Sequence, residues 1–336
     1  TGEISHVWDQ LTNPASNVNS SPGRLVQLGS SRPTYWREGF LVGEHHLLVG
    51  AGAGSFQTAS LRYAKDKQAF AAHAHSYVIQ TFSDLGLLGV VVILALLVTW
   101  GVAAAKPLGI RGPRAGPEYG PEYAGISTLL AVVVIFGVHS AIDWTWYVPG
   151  VALPALLCAG WLAGRGPLDQ RIGRLARPRR VSEAPGAYAA VTALVAVAFA
   201  GVWFTLQPLR ATDADAAAVT ASINGNTRTA FADARAAAAE DPKSIDPLTE
   251  LSSLYVQIKD RPLGRLELER ATALQPDNPD AWIALAEYDL STLHQPIAAL
   301  REFKRAEQLD PGAGSVSQGI AAATAAIAAQ KRTPVG

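Results

Sequence analysis

The sequence predicts an all-α protein in two parts. A bundle of membrane-spanning helices, preceded by a large loop outside the membrane, is followed by a soluble helical solenoid. Three observations carry this. Apolar residues make up 49% of the 336 and charged ones only 17%, a balance poor in charge for a soluble protein of this size. The apolar residues gather in four blocks within the first two thirds of the chain. The last third is rich in Ala and charge, and its prolines recur at a nearly fixed interval.

The remaining composition narrows the classes. With 28 basic and 28 acidic side chains, no excess of positive charge supports nucleic-acid binding. The one cysteine, Cys158, lies in an apolar block and reads as a small core residue. Neither a disulfide framework nor a cysteine metal site is possible. The chain starts at Thr1 and contains no methionine, so it is expected to be the C-terminal portion of a longer protein. Its lack of a signal peptide then carries no information.

Residues 1–84 are polar, with Pro, Gly, Asn and Ser concentrated near the start. They are expected to form a folded extracytoplasmic loop with short helices, one over Pro33–Glu44 and one from Ala69 through Asp84 into the membrane. The membrane domain then covers 85–206, with spans Leu85–Ala105, Ala124–Ile142, Val148–Ala163 and Ala187–Leu206. Each approaches the length needed to cross roughly 30 Å of hydrocarbon. The third is the shortest and carries Pro149 and Pro154.

The connections set the orientation. Lys106, Arg111 and Arg114 follow the first span; Arg165, Arg171, Arg174, Arg177, Arg179 and Arg180 follow the third. The link between spans two and three, Asp143-Trp-Thr-Trp-Tyr147, holds no Lys or Arg. The positive-inside rule places both basic loops in the cytoplasm and the loop 1–84, the aromatic link and everything after Leu206 outside. Trp144, Trp146 and Tyr147 then fall where an interfacial aromatic belt is expected.

From about residue 211 to 330 the pattern is helical and repetitive. Pro242, Pro276 and Pro311 are spaced by 34 and 35 residues, and Asp246 and Leu251 are matched by Asp280 and Leu285. A period of 34 with helix–turn–helix units resembles tetratricopeptide repeats. Trp282, Leu285, Ala286, Tyr288, Ala298, Phe303 and Ala306 stand where packing residues are wanted, and Ser315–Gln330 suits a closing helix. The resemblance implies a concave surface for a protein partner; the alternative is that the repeats pack on the membrane part.

Candidate chemistry gathers just before the first span. Arg32 offers a planar fork of donors that suits phosphate oxygens, and Arg24, Arg37 and Arg62 are further cations for a pyrophosphate. His75 titrates near neutrality and is able to take a proton from an attacking hydroxyl. His73, His45 and His46 raise the question of zinc, but no Cys, Asp or Glu stands at ligand spacing among these four, so no metal is expected. The run Gly50-Ala-Gly-Ala-Gly54 lacks the Lys and Ser/Thr of a nucleotide loop and reads as a tight turn. Asp143, beside His139 at the outer end of span two, is either a functional carboxylate or a helix-end cap, as is Asp84 at the mouth of span one.

Taken in order, these pieces resemble the O-antigen ligase and O-antigen polymerase superfamily of membrane glycosyltransferases. Arg32 stands four residues before Trp36; Gly50, Gly52, Gly54 and Phe56 follow as a glycine turn. His75, Tyr77, Asp84, Gly86 and Gly89 precede the span, and His139, Ser140, Asp143 and Pro149 form a later His-Ser-x-x-Asp before a Pro. The resemblance spans roughly residues 24–163. Leu48 replaces the usual Pro and Ser76 the usual Asn. The resemblance implies a multi-pass enzyme of the bacterial cytoplasmic membrane. It would move a glycan from a polyprenyl-pyrophosphate donor to a lipid, sugar or protein hydroxyl, with no cofactor. His75 would be the base and Arg32 a phosphate ligand, with Arg24, Arg37, Arg62, Trp36, Tyr77 and Asp143 around the substrate. A polymerase differs only in acceptor. Two rivals remain: a non-catalytic membrane-anchored repeat scaffold, for which His75 and Arg32 are dispensable, and a metal-dependent hydrolase, which chelators would silence.

Overall fold

In a computed structural model the chain is described over residues 32–65, 71–109, 121–166 and 185–332. Among these residues every regular element is helical. The chain divides into two compact units, Thr1–Leu175 and Ala176–Gly336.

The first unit opens with α1, Arg32–His45, and a short α2, Phe56–Ala59. Next comes α3, Tyr77–Ala104, whose start is set by Ser76: its Oγ accepts the Ile79 N–H at 3.3 Å, a side-chain cap on an orphan donor. Residues 71–76 are irregular, so the helix expected from Ala69 begins only at Tyr77. α4 spans Pro121–Ile142 and α5 spans Pro149–Arg165. α1 lies on the first turns of α3, where Gly39 and Gly43 leave room for Ile79 and Phe82.

α4 and α5 run antiparallel and are tied at both ends. The turn 143–148 joins them at one, and at the other Arg165 Nε donates to Glu122 Oε1 at 2.7 Å. There Ala104, Ile126 and Leu162 form one buried cluster, and Trp100 Nε1 donates to the Ala159 carbonyl at 3.0 Å. α5 has 17 residues, about 26 Å of helix, against about 33 Å for the 22 residues of α4.

α3 is broken at Gly86, which has φ +61°. The break is filled by the glycine turn. Leu87 and Leu88 N–H donate to the Leu47 and Leu48 carbonyls at 2.9 and 3.1 Å, while Ala51 and Gly52 N–H donate to Ser83 and Asp84 carbonyls at 2.9 Å each. Asp84 Oδ2 accepts from Gly54 N–H at 2.9 Å and from Gln80 Nε2 at 3.0 Å. Four of the backbone groups freed by the break, the Ser83 and Asp84 carbonyls and the Leu87 and Leu88 N–H groups, thus find partners in the turn, as suits a helix entering hydrocarbon.

The second unit starts with α6, Pro185–Ile223, 39 residues long, or about 58 Å, nearly twice the hydrocarbon thickness. It runs through Pro208 and Ala211 without interruption and ends at Asn224-Gly225, Gly225 having φ +75°. Then follow α7 Thr227–Glu240, α8 Asp246–Gln257, α9 Arg261–Leu274, α10 Pro279–Ser291, α11 Pro296–Leu309 and α12 Gly314–Arg332. Antiparallel pairs stack through small residues: Ala218, Ala230, Ala234 and Ala271 pack with Leu248, Leu251 and Leu254, and Ala286, Ala299 and Ala323 pack with Phe303. The last residues of α6 thus supply the first helix of the stack.

Among the described residues three helices are long and apolar enough to cross a membrane: α3, α4 and the Val191–Ile223 part of α6. The chain is a helical membrane protein with a solenoid-like helical stack.

Inside the stack, Arg265 grips the fully buried Asp289 bidentately at 2.8 and 2.9 Å and also pairs with Glu269 and with Glu302, the latter at 3.5 Å. Burial and the neighbouring Asp289 push the Glu302 carboxyl up to about 7. A carboxyl raised on folding takes up a proton, so its contribution to stability is full below the ordinary value of 4.5 and is lost as pH rises through about 7. Thermal unfolding of the protein in detergent is expected to give a stack midpoint several degrees higher at pH 5 than at pH 8. Glu302→Gln should flatten that difference.

Candidate functional site

In the first unit a polar cluster lies where α1 starts, α3 starts and α4 ends. Arg32, first residue of α1, donates from Nη2 to Asp143 Oδ2 at 2.7 Å across 111 positions of sequence. His75 Nδ1 lies 3.5 Å from the other oxygen, Asp143 Oδ1, a long contact rather than a short hydrogen bond. One carboxylate thus stands between the guanidinium and the imidazole.

His75 is held from several sides. Its φ is +50°, a conformation that costs a non-glycine residue roughly 1–2 kcal/mol. Trp36 Nε1 donates to the His75 carbonyl at 3.2 Å. The Gln80 side chain accepts the Ala74 N–H at 2.8 Å, and Tyr35 stacks on the imidazole at 5.4 Å between centroids. Behind them Tyr35, Phe56 and Ala74 form a small buried core. Strain retained by so many contacts marks a position whose geometry matters.

Asp143 is fixed by its turn. Thr145 Oγ1 lies 3.2 Å from both His139 Nδ1 and Ser140 Oγ, and the Trp144 N–H donates to Asp143 Oδ1 at 2.8 Å. His139 and Ser140 therefore shape the turn that presents the carboxylate. Partial burial pushes Asp143 up, but the Trp144 N–H, Arg32 and His75 outweigh it and hold the carboxyl below its ordinary 3.8. Burial lowers His75 below 6.5, with Arg32 and His73 adding to the effect; Asp143 opposes this and loses. The imidazole is neutral at pH 7. With Nδ1 facing a carboxylate, the favoured tautomer carries its proton there and leaves Nε2 as the acceptor.

The other expected residues are placed as follows. Tyr77 meets Trp146 edge-on at 5.6 Å, on the rim of an aromatic group in which His73 stacks on Tyr147 at 4.2 Å. Arg62 bonds His45 at 3.2 Å, at the end of α1 away from Arg32, about 20 Å along the helix. Arg37 is exposed on α1, about 140° around the axis from Arg32. The structure thus brings neither to the Arg32–Asp143–His75 centre. Arg24 lies outside the described residues. The glycine turn spends the Gly50 N–H on His46 and those of Ala51, Gly52 and Gly54 on Ser83 and Asp84, which makes it structural. Among the described residues no group of three or more His, Cys, Asp or Glu is arranged to hold a metal ion.

Sequence reasoning missed Tyr35, Gln80 and the part played by Trp144, whose ring meets His75 edge-on at 6.4 Å. One signal was present: the N-cap Ser76 and the helical Gln80 and Asp84 are polar at successive i+4 positions, so they share a face.

The fold and this centre define an integral membrane protein with an Arg–Asp–His cluster at one end of its helices. Residues 4–94 match the family model described as O-antigen ligase, and by that match the stretch carries an O-antigen ligase-type domain. It contains Arg32 and His75; Asp143 lies beyond it. The match supports a membrane glycosyltransferase of the ligase or polymerase kind. No curated protein matches the chain. Among solved structures, the first TPR of Spaghetti (RPAP3) bound to the HSP90 peptide SRMEEVD is 16% identical, covering 36% of this chain and 95% of that one with a TM-score of 0.32.

Proposed function

We propose that this chain carries the acceptor-activating part of an O-antigen ligase-type glycosyltransferase, which moves a glycan from a polyprenyl-pyrophosphate donor to an envelope hydroxyl. The observation that carries the reading is the meeting of Arg32 and His75 on one carboxylate, Asp143, at the end of the helices away from Lys106 and Arg165.

In the proposed reaction His75 Nε2 takes the proton of the acceptor hydroxyl. The oxygen attacks the anomeric carbon of the donor, the carbon–oxygen bond to the pyrophosphate breaks, and polyprenyl pyrophosphate leaves. Single in-line displacement inverts that carbon. Arg32 meets the charge that grows on the leaving group, sharing its fork between phosphate and Asp143. The same reading puts Lys106 and Arg165 on the cytoplasmic side, and the site and the helical stack outside.

The test is glycan transfer by the full-length protein in membranes, with a polyprenyl-pyrophosphate glycan and an envelope acceptor extract, comparing wild type with His75→Ala at equal protein level. Loss in the variant supports the reading. Undiminished transfer removes His75 from the mechanism, and no transfer by wild type removes the activity. Since the base acts in its neutral form, the acid limb of the transfer rate is expected to have its midpoint below 6.5.

A further inference from the structure

We propose that the segment Leu47-Leu48-Val49, just beyond α1, is an interfacial anchor seated among the lipid acyl chains at the edge of the bilayer. The inference rests on the membrane helices alone and not on the glycosyl-transfer reading.

Depth comes from the backbone. The Leu47 and Leu48 carbonyls accept from the N–H groups of Leu87 and Leu88. The tip is therefore level with the first turn of the apolar run that begins at Leu85, within the longest apolar stretch of α3. It cannot lie above the membrane while those residues lie in it.

The side chains agree. Leu47 is 48% exposed, Leu48 70% and Val49 66%, and Phe40, two turns back on α1, is 51% exposed. Three consecutive large apolar residues facing water would be an unusual expense for a turn. They are instead continuous with the outward faces of Leu85, Leu87, Leu88, Val91 and Val92, which are the lipid-facing surface of α3.

The carbonyls of Leu47 and Leu48 at the tip, and the N–H groups on either side of it, are already partnered. His46 N–H donates to the Val42 carbonyl at 3.1 Å and Gly50 N–H to His46 at 2.8 Å, while the Leu47 and Leu48 carbonyls are used by α3. Carbonyls paired in this way suit a segment at the edge of the hydrocarbon, where the headgroup region still supplies acceptors for N–H groups. One turn back, Glu44 and His45 are exposed, and Arg62 bonds His45, a polar rim at headgroup level. α1, 14 residues long or about 21 Å, is then a strut with lipid at one end and Arg32 at the other. The anchor sets the height of the Arg32–Asp143 contact over the bilayer.

The test is fluorescence depth measurement on the full-length protein in phosphatidylcholine–phosphatidylglycerol vesicles. Leu48→Cys and, as a control, Arg37→Cys are labelled with an environment-sensitive nitrobenzoxadiazole probe in a background without other cysteines, Cys158→Ser included. The label at 48 is expected to emit at shorter wavelength, to be quenched by lipids spin-labelled near the headgroup and to be protected from iodide. The label at 37 should respond to iodide. Iodide quenching at 48 equal to that at 37 would overturn the proposal, placing the tip in water. Shielding from both quenchers would overturn it too, because protein and not lipid would then cover the tip. Val49→Cys gives the same reading should Leu48→Cys fail to fold.

Discussion

Replacing His75 by alanine is expected to slow glycan transfer by roughly 10²–10⁴-fold, the usual worth of a positioned general base. Asp143→Asn should cost on the order of 10²-fold even though no reacting atom touches it. The carboxylate does three things at once: it fixes the Arg32 fork at 2.7 Å, faces His75 Nδ1 at 3.5 Å, and raises the imidazole against the lowering effects of burial and Arg32. An asparagine keeps the shape and removes the charge. The His75 titration should then move further down, so the acid limb of the rate profile shifts to lower pH in Asp143→Asn. A residue that merely packed the turn would leave that midpoint where it was. Measuring the transfer rate against pH for wild type, His75→Ala and Asp143→Asn separates the two. An unshifted limb in Asp143→Asn, with the rate reduced, would show that the carboxylate acts only through Arg32 or the fold.

Gly50→Ala is expected to abolish a stable fold of the first unit. A Cβ at Gly50 would stand 2.2 Å from the Asp84 carbonyl carbon and 2.3 Å from the Leu85 nitrogen, and the residue has φ +69°. Both contacts are with backbone inside a helix, which cannot turn aside. Gly86 faces the same limit from the other side: its Cβ would meet Gly50 N and the Leu48 carbonyl carbon at 2.6 Å, with φ +61°. Steric conflict and the left-handed conformation together should cost about 3 kcal/mol or more. Gly54→Ala is the control, since it has φ +75° but nothing within 4 Å and should cost only about 1 kcal/mol. The check is the yield of monodisperse protein in detergent and its thermal midpoint. Equal behaviour of Gly50→Ala and Gly54→Ala would mean that the turn does not dock into the break of α3.

How much of this was legible can be judged from particular residues. The apolar blocks identified α3 and α4 as membrane helices because about twenty mostly apolar residues in a row have one stable environment. The Gly39-x-x-x-Gly43 pair and the Ser76–Gln80–Asp84 face were open to view but went unread. Where the apolar run of α6 ends at Leu206, hydropathy stops but helix propensity does not: the following Ala-rich residues continue the helix to the stop signal Asn224-Gly225. A change of solvent is not a change of backbone conformation, and only the latter ends a helix.

The sequence by itself determined the helical class, the apolar helices, the near-34-residue rhythm of the last third and the two candidates Arg32 and His75. All of these depend on periodicity and residue chemistry over short stretches. Only the tertiary structure decided that Asp143 joins the two, that Arg62 and Arg37 stand away from them, and that the glycine turn serves a broken helix and not an anion. These are contacts across 30 to 111 residues, fixed by which helix faces pack together. A single sequence records each face but not its partner.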